Sequence, residues 1–296
     1  MKADPTVGLP PSLVEQARAF ADGRREPVEP RNAATVVLVR AGGAAGPGAL
    51  EVYFLRRQVG MAFAGGMAVF PGGGVDGRDH ESPEIPPWAG PSPSEWAGRL
   101  GVEESLARAL VYAAVRETFE ESGVLLAGPS PDTVVSDTTG ADWEADRVAL
   151  EAKELSFTEF LARRSLVVRT DLLTPWSLWV TPVFEPRRFR AWFFLAELPE
   201  GQRTRDVSSE SAEVMWLSVR EALEAAHEDR MMMLPPQYYT CMELYDAATP
   251  HDAALLGRRR ELHTVAPSAR FDGDEAHLEV PDRLLELADD VRRRMG

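Results

Sequence analysis

The sequence predicts an α/β fold, a mixed sheet held between helices. Three observations point to it. Short β-rich apolar runs alternate with helical periods along most of the chain, the pattern of a layered α/β domain. A strand end, a glycine-rich loop and a long amphipathic helix follow one another between Val69 and Val124. Apolar residues make up 44% of 296 positions, ample for a core.

Taken in order, residues 1–30 are Pro-rich and charged and read as an N-terminal extension with one short helix at 12–22. The apolar runs 34–40 and 50–56 flank a glycine-bearing stretch at 42–48, a hairpin signal. A short strand follows at 67–70. Residues 75–101 carry Pro83, Pro86, Pro87, Gly90, Pro91, Pro93 and Gly98, the composition of a surface loop. Leu106, Leu110, Val111, Ala114, Val115 and Phe119 then recur near the 3.6 period, which gives a helix one buried face. A polar stretch from Thr133 leads to a helical insertion at 142–163. Strands are expected at 166–171, 176–180, 189–198 and 213–217. Ser218 is placed to cap a helix over 219–228, and a further helix runs over 234–247. The main domain is 31–250. A C-terminal extension, 251–296, should hold a hairpin of 264–268 with 277–280 and a helix at 284–294. That helix has basic residues in its last turn, where the helix dipole favours them.

The chemistry concentrates in Arg116-Glu117-Thr118-Phe119-Glu120-Glu121-Ser122-Gly123-Val124. On a helix Glu117 shares a face with Glu120 and Glu121, and like charges at such spacings repel. A divalent cation turns that repulsion into binding, since hard cations take carboxylate oxygens and keep positions for substrate phosphates. Arg116 offers a planar fork that can orient a carboxylate, and Gly123 suits the left-handed residue that ends many helices. An ordinary solvated acidic face is the bland alternative. The apolar face opposite, and Val69-Phe70-Pro71-Gly72-Gly73-Gly74 upstream, argue against it.

This stretch resembles the second half of the Nudix box, G-x5-E-x7-R-E-U-x-E-E-x-G-U, where U is bulky and aliphatic. Thr118 departs at the U position, with Phe119 beside it. The resemblance implies an α/β/α sandwich with an expanded loop inside the box. It implies Glu117, Glu120 and Glu121 as ligands of Mg²⁺ or Mn²⁺, with a backbone carbonyl near Gly73 or Gly74, and Arg116 as the residue that orients the cluster. The first half departs, because the position eight before the arginine is Arg108. Glu103 or Glu104 are candidates to replace the missing carboxylate. Phe54-Leu55-Arg56-Arg57, the Gly65–Gly73 lead-in, Trp176–Pro182, Arg187–Phe194 and Pro235-Pro236-Gln237-Tyr238-Tyr239 are similar to the peroxisomal-type (acyl-)coenzyme A diphosphatase branch of the family.

The expected reaction is metal-assisted hydrolysis of a diphosphate. A carboxylate must take the proton of the attacking water; Glu120, Glu210 and Glu213 are the candidates. Arg56 and Arg57 are placed to bind substrate phosphate through bidentate guanidinium contacts, with Gly72, Gly73 and Arg188 as further substrate contacts. For a coenzyme A substrate the resemblance implies adenosine 3',5'-bisphosphate and (acyl-)4'-phosphopantetheine as products. A Nudix hydrolase of ADP-ribose, NADH or a nucleotide sugar is the second reading. A nucleotide-binding module without turnover is the third, motivated by Arg108.

Composition narrows the class further. A net charge of −15 argues against nucleic-acid partners. The lone Cys241 excludes an internal disulfide and reads as a buried thiol. No apolar run reaches the length of a membrane span. The first residues lack the basic-then-apolar pattern expected of a secretory leader, and the last ones given, Arg-Arg-Arg-Met-Gly, do not read as a peroxisomal address. The cytoplasm is the expected compartment, a small-molecule diphosphate the expected partner, and a homodimer is compatible with the family.

Overall fold

The computed structural model describes residues 8–61, 64–81 and 87–296. Residues 1–7 of the expected N-terminal extension and 82–86 of the expected loop lie outside them. The helices are α1 (Pro11–Ala21), α2 (Gly77–Glu81), α3 (Pro93–Leu100), α4 (Glu104–Ser122), α5 (Ala141–Glu151), α6 (Phe157–Arg163), α7 (Val219–His227), α8 (Pro235–Leu244), α9 (Pro250–Arg258) and α10 (Asp282–Met295). The strands are β1 (Arg31–Arg40), β2 (Glu51–Arg57), β3 (Ala68–Val69), β4 (Gly72–Gly74), β5 (Trp88–Ala89), β6 (Ala127–Gly128), β7 (Val167–Arg169), β8 (Thr174–Val180), β9 (Phe189–Glu197), β10 (Ser211–Ser218), β11 (Thr264–Val265), β12 (Ser268–Asp272) and β13 (Glu275–Glu279).

The main sheet runs β10-β2-β1-β9-β8-β11, with β3 on β2 and β4 on β1. It is mixed: β1 lies parallel to β9 and β11 parallel to β8, while the β1–β2, β2–β10 and β8–β9 pairs are antiparallel. Successive side chains on a strand point to opposite faces, and the central strands use both. Val36, Leu38, Tyr53, Leu55, Trp192 and Phe194 enter one core with the apolar residues of α3, α4, α5 and α6. Val37, Val39, Val52, Phe54, Phe193 and Leu195 enter the other with α7, α8 and α10. The result is the expected α/β/α sandwich. A third, small cluster joins α1 to the β12–β13 hairpin through Val14, Ala17, Ala276 and Leu278.

Several expected elements came out differently, each for a local reason. The stretch expected as a loop over 75–101 carries α2, β5 and α3. The last of these is set by a capping box in which Ser92 accepts from the Glu95 N–H. The expected 142–163 insertion is broken into α5 and α6. Lys153 takes a left-handed φ of 59° just past α5, and Ser156 caps α6 with Glu159. The expected pairing of 264–268 with 277–280 does not form as read. Gly273-Asp274 makes the turn, so β12 pairs with β13 from Asp272–Glu275 back to Ser268–Glu279, and β11 joins β8 in the main sheet, where Val265 is buried. Helix α9 was not expected; Thr249 and Asp252 form its capping box.

Candidate active site

Among the described residues α4 is the longest helix; it packs on β1 and β4 with most of its residues buried, Glu120 and Glu121 among them, while Glu117 is half-buried. Phe119 faces inward and stacks on Phe160 of α6 with ring centroids 5.4 Å apart. Thr118, where the motif asks for a bulky residue, is fully buried and satisfies its hydroxyl on the Ala114 carbonyl at 2.7 Å. The helix ends at Gly123, whose φ of 73° is the left-handed conformation its position required.

Arg116 is the hub of the acidic face. Its guanidinium meets Glu117 Oε1 at 2.8 Å, Glu120 Oε1 at 3.2 Å, Asp79 Oδ2 at 3.3 Å and the Gly74 carbonyl at 3.0 Å. Glu121 turns to the glycine strand and accepts from the Gly72 N–H at 2.8 Å. β4 runs antiparallel to β1 here, and Gly73 lies against the Glu117 carboxylate. A Cβ at Gly73 would stand 2.5 Å from Glu117 Oε1, so any side chain there would push this carboxylate from its place.

Burial, followed by the charge of Glu117, raises the Glu120 carboxyl to about 7. The same two causes raise Glu121 well above its ordinary value. Burial likewise raises Glu117 and Asp79, against the opposing pull of Arg116. Burial disfavours a lone carboxylate charge, and a nearby cation restores it.

Four further sequence candidates, Arg56, Arg57, Glu210 and Glu213, separate by strand alternation. Arg57 and Glu210 form an ion pair at 2.8 Å. Arg57 follows Tyr53 and Leu55 on β2 onto the face packed by α4, so this pair lies on the side of the acidic helix. Arg56, one residue away, points to the other side of β2 and pairs with Glu213 at 3.4 Å. A register shift in β10 between Ser211 and Glu213 fixes that pairing. Arg56 and Glu213 are thus not brought to the carboxylates. Arg188 is not either: it donates to the carbonyls of Thr181 and Val28, at 3.1 and 2.7 Å, and ties down the segment before β1. Cys241 is fully buried, and burial pushes its thiol up to about 12, away from nucleophilic use.

Asp79 is the residue that sequence reading missed. It comes from α2, inside the stretch read as loop, and is 2% exposed. The signal was present on the glycine side. Five residues separate Gly73 from Asp79, the interval the motif places between its glycine and its first acid. Counting back from Arg116 led to Arg108 instead, because the insertion lies between Asp79 and α4. Glu103 and Glu104, offered as replacements, sit exposed at the start of α4.

Among the described residues no three histidine, cysteine, aspartate or glutamate side chains stand as a ready metal-holding group. The donor chemistry nevertheless fits a hard divalent cation. Every donor is a carboxylate oxygen, and Asp79, Glu117 and Glu120 share a single guanidinium. Burial has raised all of them together with Glu121, the condition that a bound cation relieves.

A family model described as the NUDT19 Nudix domain matches residues 97–244, half of the chain. The acyl-coenzyme A diphosphatase NUDT19 of Gallus gallus is 27% identical over 85% of this chain and 81% of its own length. The protein of the same name from Homo sapiens is 31% identical over 59% of this chain, and the match spans about half, 52%, of that protein. Among solved structures, a NUDIX hydrolase from Alicyclobacillus acidocaldarius superposes with a TM-score of 0.63 at 25% identity, covering 77% of this chain and 96% of that one. Among the described residues no helix is long and apolar enough to cross a membrane.

Proposed function

The chain belongs to the Nudix hydrolase family, in the branch described as the NUDT19 Nudix domain, and on that premise we propose that it hydrolyses the diphosphate of coenzyme A or acyl-coenzyme A with the help of Mg²⁺ or Mn²⁺. The observation that carries the reaction type is the acidic face of α4, held by Arg116 against the Gly72–Gly74 strand, with Arg57 and Glu210 facing it. The substrate class rests on the relatives named acyl-coenzyme A diphosphatase.

Glu117, Glu120 and Glu121, with a carbonyl of the glycine strand, would hold the metal. A divalent ion bound there supplies charge neutralisation for the diphosphate oxygens and lowers the pKa of water. The chain's own groups account for the rest. Arg116 fixes the orientation of Glu117 and Glu120. The Gly74 carbonyl already serves Arg116, so the metal-facing carbonyl is assigned to Gly73. Arg57 faces the site with its Glu210 partner and supports a phosphate oxygen when substrate enters. The water oxygen bonds to one phosphorus, the anhydride P–O bond breaks, and Glu210 takes the water proton. Glu210 is preferred to Glu213 because it pairs with Arg57 on the α4 face of β2, whereas Glu213 pairs with Arg56 on the opposite face. With coenzyme A the products are adenosine 3',5'-bisphosphate and 4'-phosphopantetheine.

The test is mass spectrometry of products after incubation with Mg²⁺ or Mn²⁺ and equimolar coenzyme A, acetyl-coenzyme A, ADP-ribose and NADH. A Glu120→Gln, Glu121→Gln protein is the control. Adenosine 3',5'-bisphosphate from the unmutated protein alone is the expected result. AMP from ADP-ribose or NADH instead would keep the hydrolase and replace the substrate. No product from any of the four would count against turnover.

A further inference from the structure

Arg147 in α5 is 2% exposed and belongs to no part of the acidic face described above. Its guanidinium donates to the backbone carbonyl of Glu120 at 2.8 Å, to Glu144 at 2.7 Å and to Glu151 at 3.0 Å. The Glu120 carbonyl lies in the last turn of α4, where carbonyls have no partner within the helix and a cation complements the dipole. Glu151, at the far end of α5, accepts from the Ser209 N–H at 2.9 Å and from the Ser209 hydroxyl at 2.6 Å. Ser209 directly precedes Glu210. A continuous run of bonds therefore leads from the catalytic helix, through Arg147 and Glu151, to the loop that carries Glu210. From the other side Gln58 holds the same loop, donating from its amide to the Ser209 carbonyl at 2.8 Å and from its backbone to the Glu210 carbonyl at 3.0 Å.

We propose that Arg147 and Glu151 are positioning residues, which set the distance of Glu210 from Glu117 and Glu121 by tying its loop to the end of α4. The proposal rests on the reading of Glu210 as the proton acceptor. It gives the inserted helix α5 a mechanical part in the reaction. The Glu210 side chain is about half exposed, 52%, and the loop around it has little core of its own. Without Glu151 the loop keeps Gln58, the Arg57 ion pair, the pairing of Ser211 with Arg57 and its own internal bonds, but loses its bonded link through α5 to the end of α4. Displacements of this kind, far from the reacting atoms, lower turnover rather than substrate binding.

The experiment uses Glu151→Ala and Glu210→Gln, singly and together, in the full chain with Mg²⁺ and with coenzyme A and ADP-ribose as substrates. Glu151→Ala should lower kcat about tenfold and leave KM within about twofold. Glu151→Gln, whose amide oxygen still accepts from Ser209, should recover most of the loss. In the Glu210→Gln background Glu151→Ala should add nothing. A wild-type kcat in Glu151→Ala, or the same loss in both backgrounds, overturns the proposal while leaving the Glu210 reading in place. A wild-type kcat in Glu210→Gln defeats that reading, and the proposal with it. Hydrogen exchange over 206–212 reads the tie without turnover. Glu151→Ala should speed exchange there and not in α4, and unchanged exchange over 206–212 overturns the tie.

Discussion

Arg116 distributes one guanidinium among Asp79, Glu117 and Glu120. Removing one claimant changes where the others are held. Asp79→Asn keeps the shape and deletes the charge, so Arg116 is drawn wholly to the two glutamates. Groups that orient metal-binding side chains typically matter by about tenfold to hundredfold. Asp79→Asn should therefore lower kcat by that order with KM little changed, in steady-state kinetics on the substrate found. Glu103→Gln and Glu104→Gln, exposed at the start of α4, should stay within about twofold of wild type on the same principle that solvated surface groups carry little. If they lose as much as Asp79→Asn, the assignment by proximity to Arg116 is wrong. At this scale the sequence was legible wherever a single helix set the spacing. Arg116, Glu117, Glu120 and Glu121 meet because they lie on consecutive turns of α4. Asp79 was hidden because its partner lies on the far side of an insertion. Arg56 and Glu213 could not be told from Arg57 and Glu210 until strand alternation and the β10 register were known.

Helix boundaries inside the two insertions were written in capping chemistry that hydrophobic periodicity does not see. Leu150, Leu155, Phe160 and Leu161 all enter one core, so periodicity alone joined α5 to α6 as one helix. Ser156 breaks the run: its hydroxyl accepts from the Glu159 N–H at 3.2 Å and closes the capping box of α6. The same Ser-x-x-Glu signal at Ser92 turned a Pro-rich stretch into α3, and Thr249 with Asp252 made α9. By contrast β1, β2, α4 and α7 were readable, since each shows a clean period and a marked end. Ser156 is 8% exposed, and loss of such a cap costs about 1 kcal/mol. Ser156→Ala should lower the thermal midpoint by about 2–4 °C, read by circular dichroism. Ser156→Asp, which keeps an acceptor at the cap, should restore it. No shift in Ser156→Ala would mean that core packing of Phe157 and Phe160, rather than the cap, fixes where α6 begins.

For the whole molecule, the charge of −15 and the buried acidic face make the same forecast by different routes. Any salt screens the general repulsion of an acidic protein, and so raises stability modestly. A cation bound among Glu117, Glu120 and Glu121 does more, because it binds the folded chain and not the unfolded one. At a hundredfold excess over its dissociation constant that linkage is worth about 2.7 kcal/mol. Thermal unfolding in Mg²⁺ or Mn²⁺ should therefore rise above the value in NaCl of matched ionic strength. The excess should grow with the logarithm of metal concentration. In the Glu120→Gln, Glu121→Gln protein the NaCl response should persist and the excess should vanish, since the overall charge changes by only two while the donor set is lost. Equal midpoints in Mg²⁺ and matched NaCl would show that screening alone is at work. The raised carboxyls of α4 would then be relieved by protons and by Arg116 instead of by a metal.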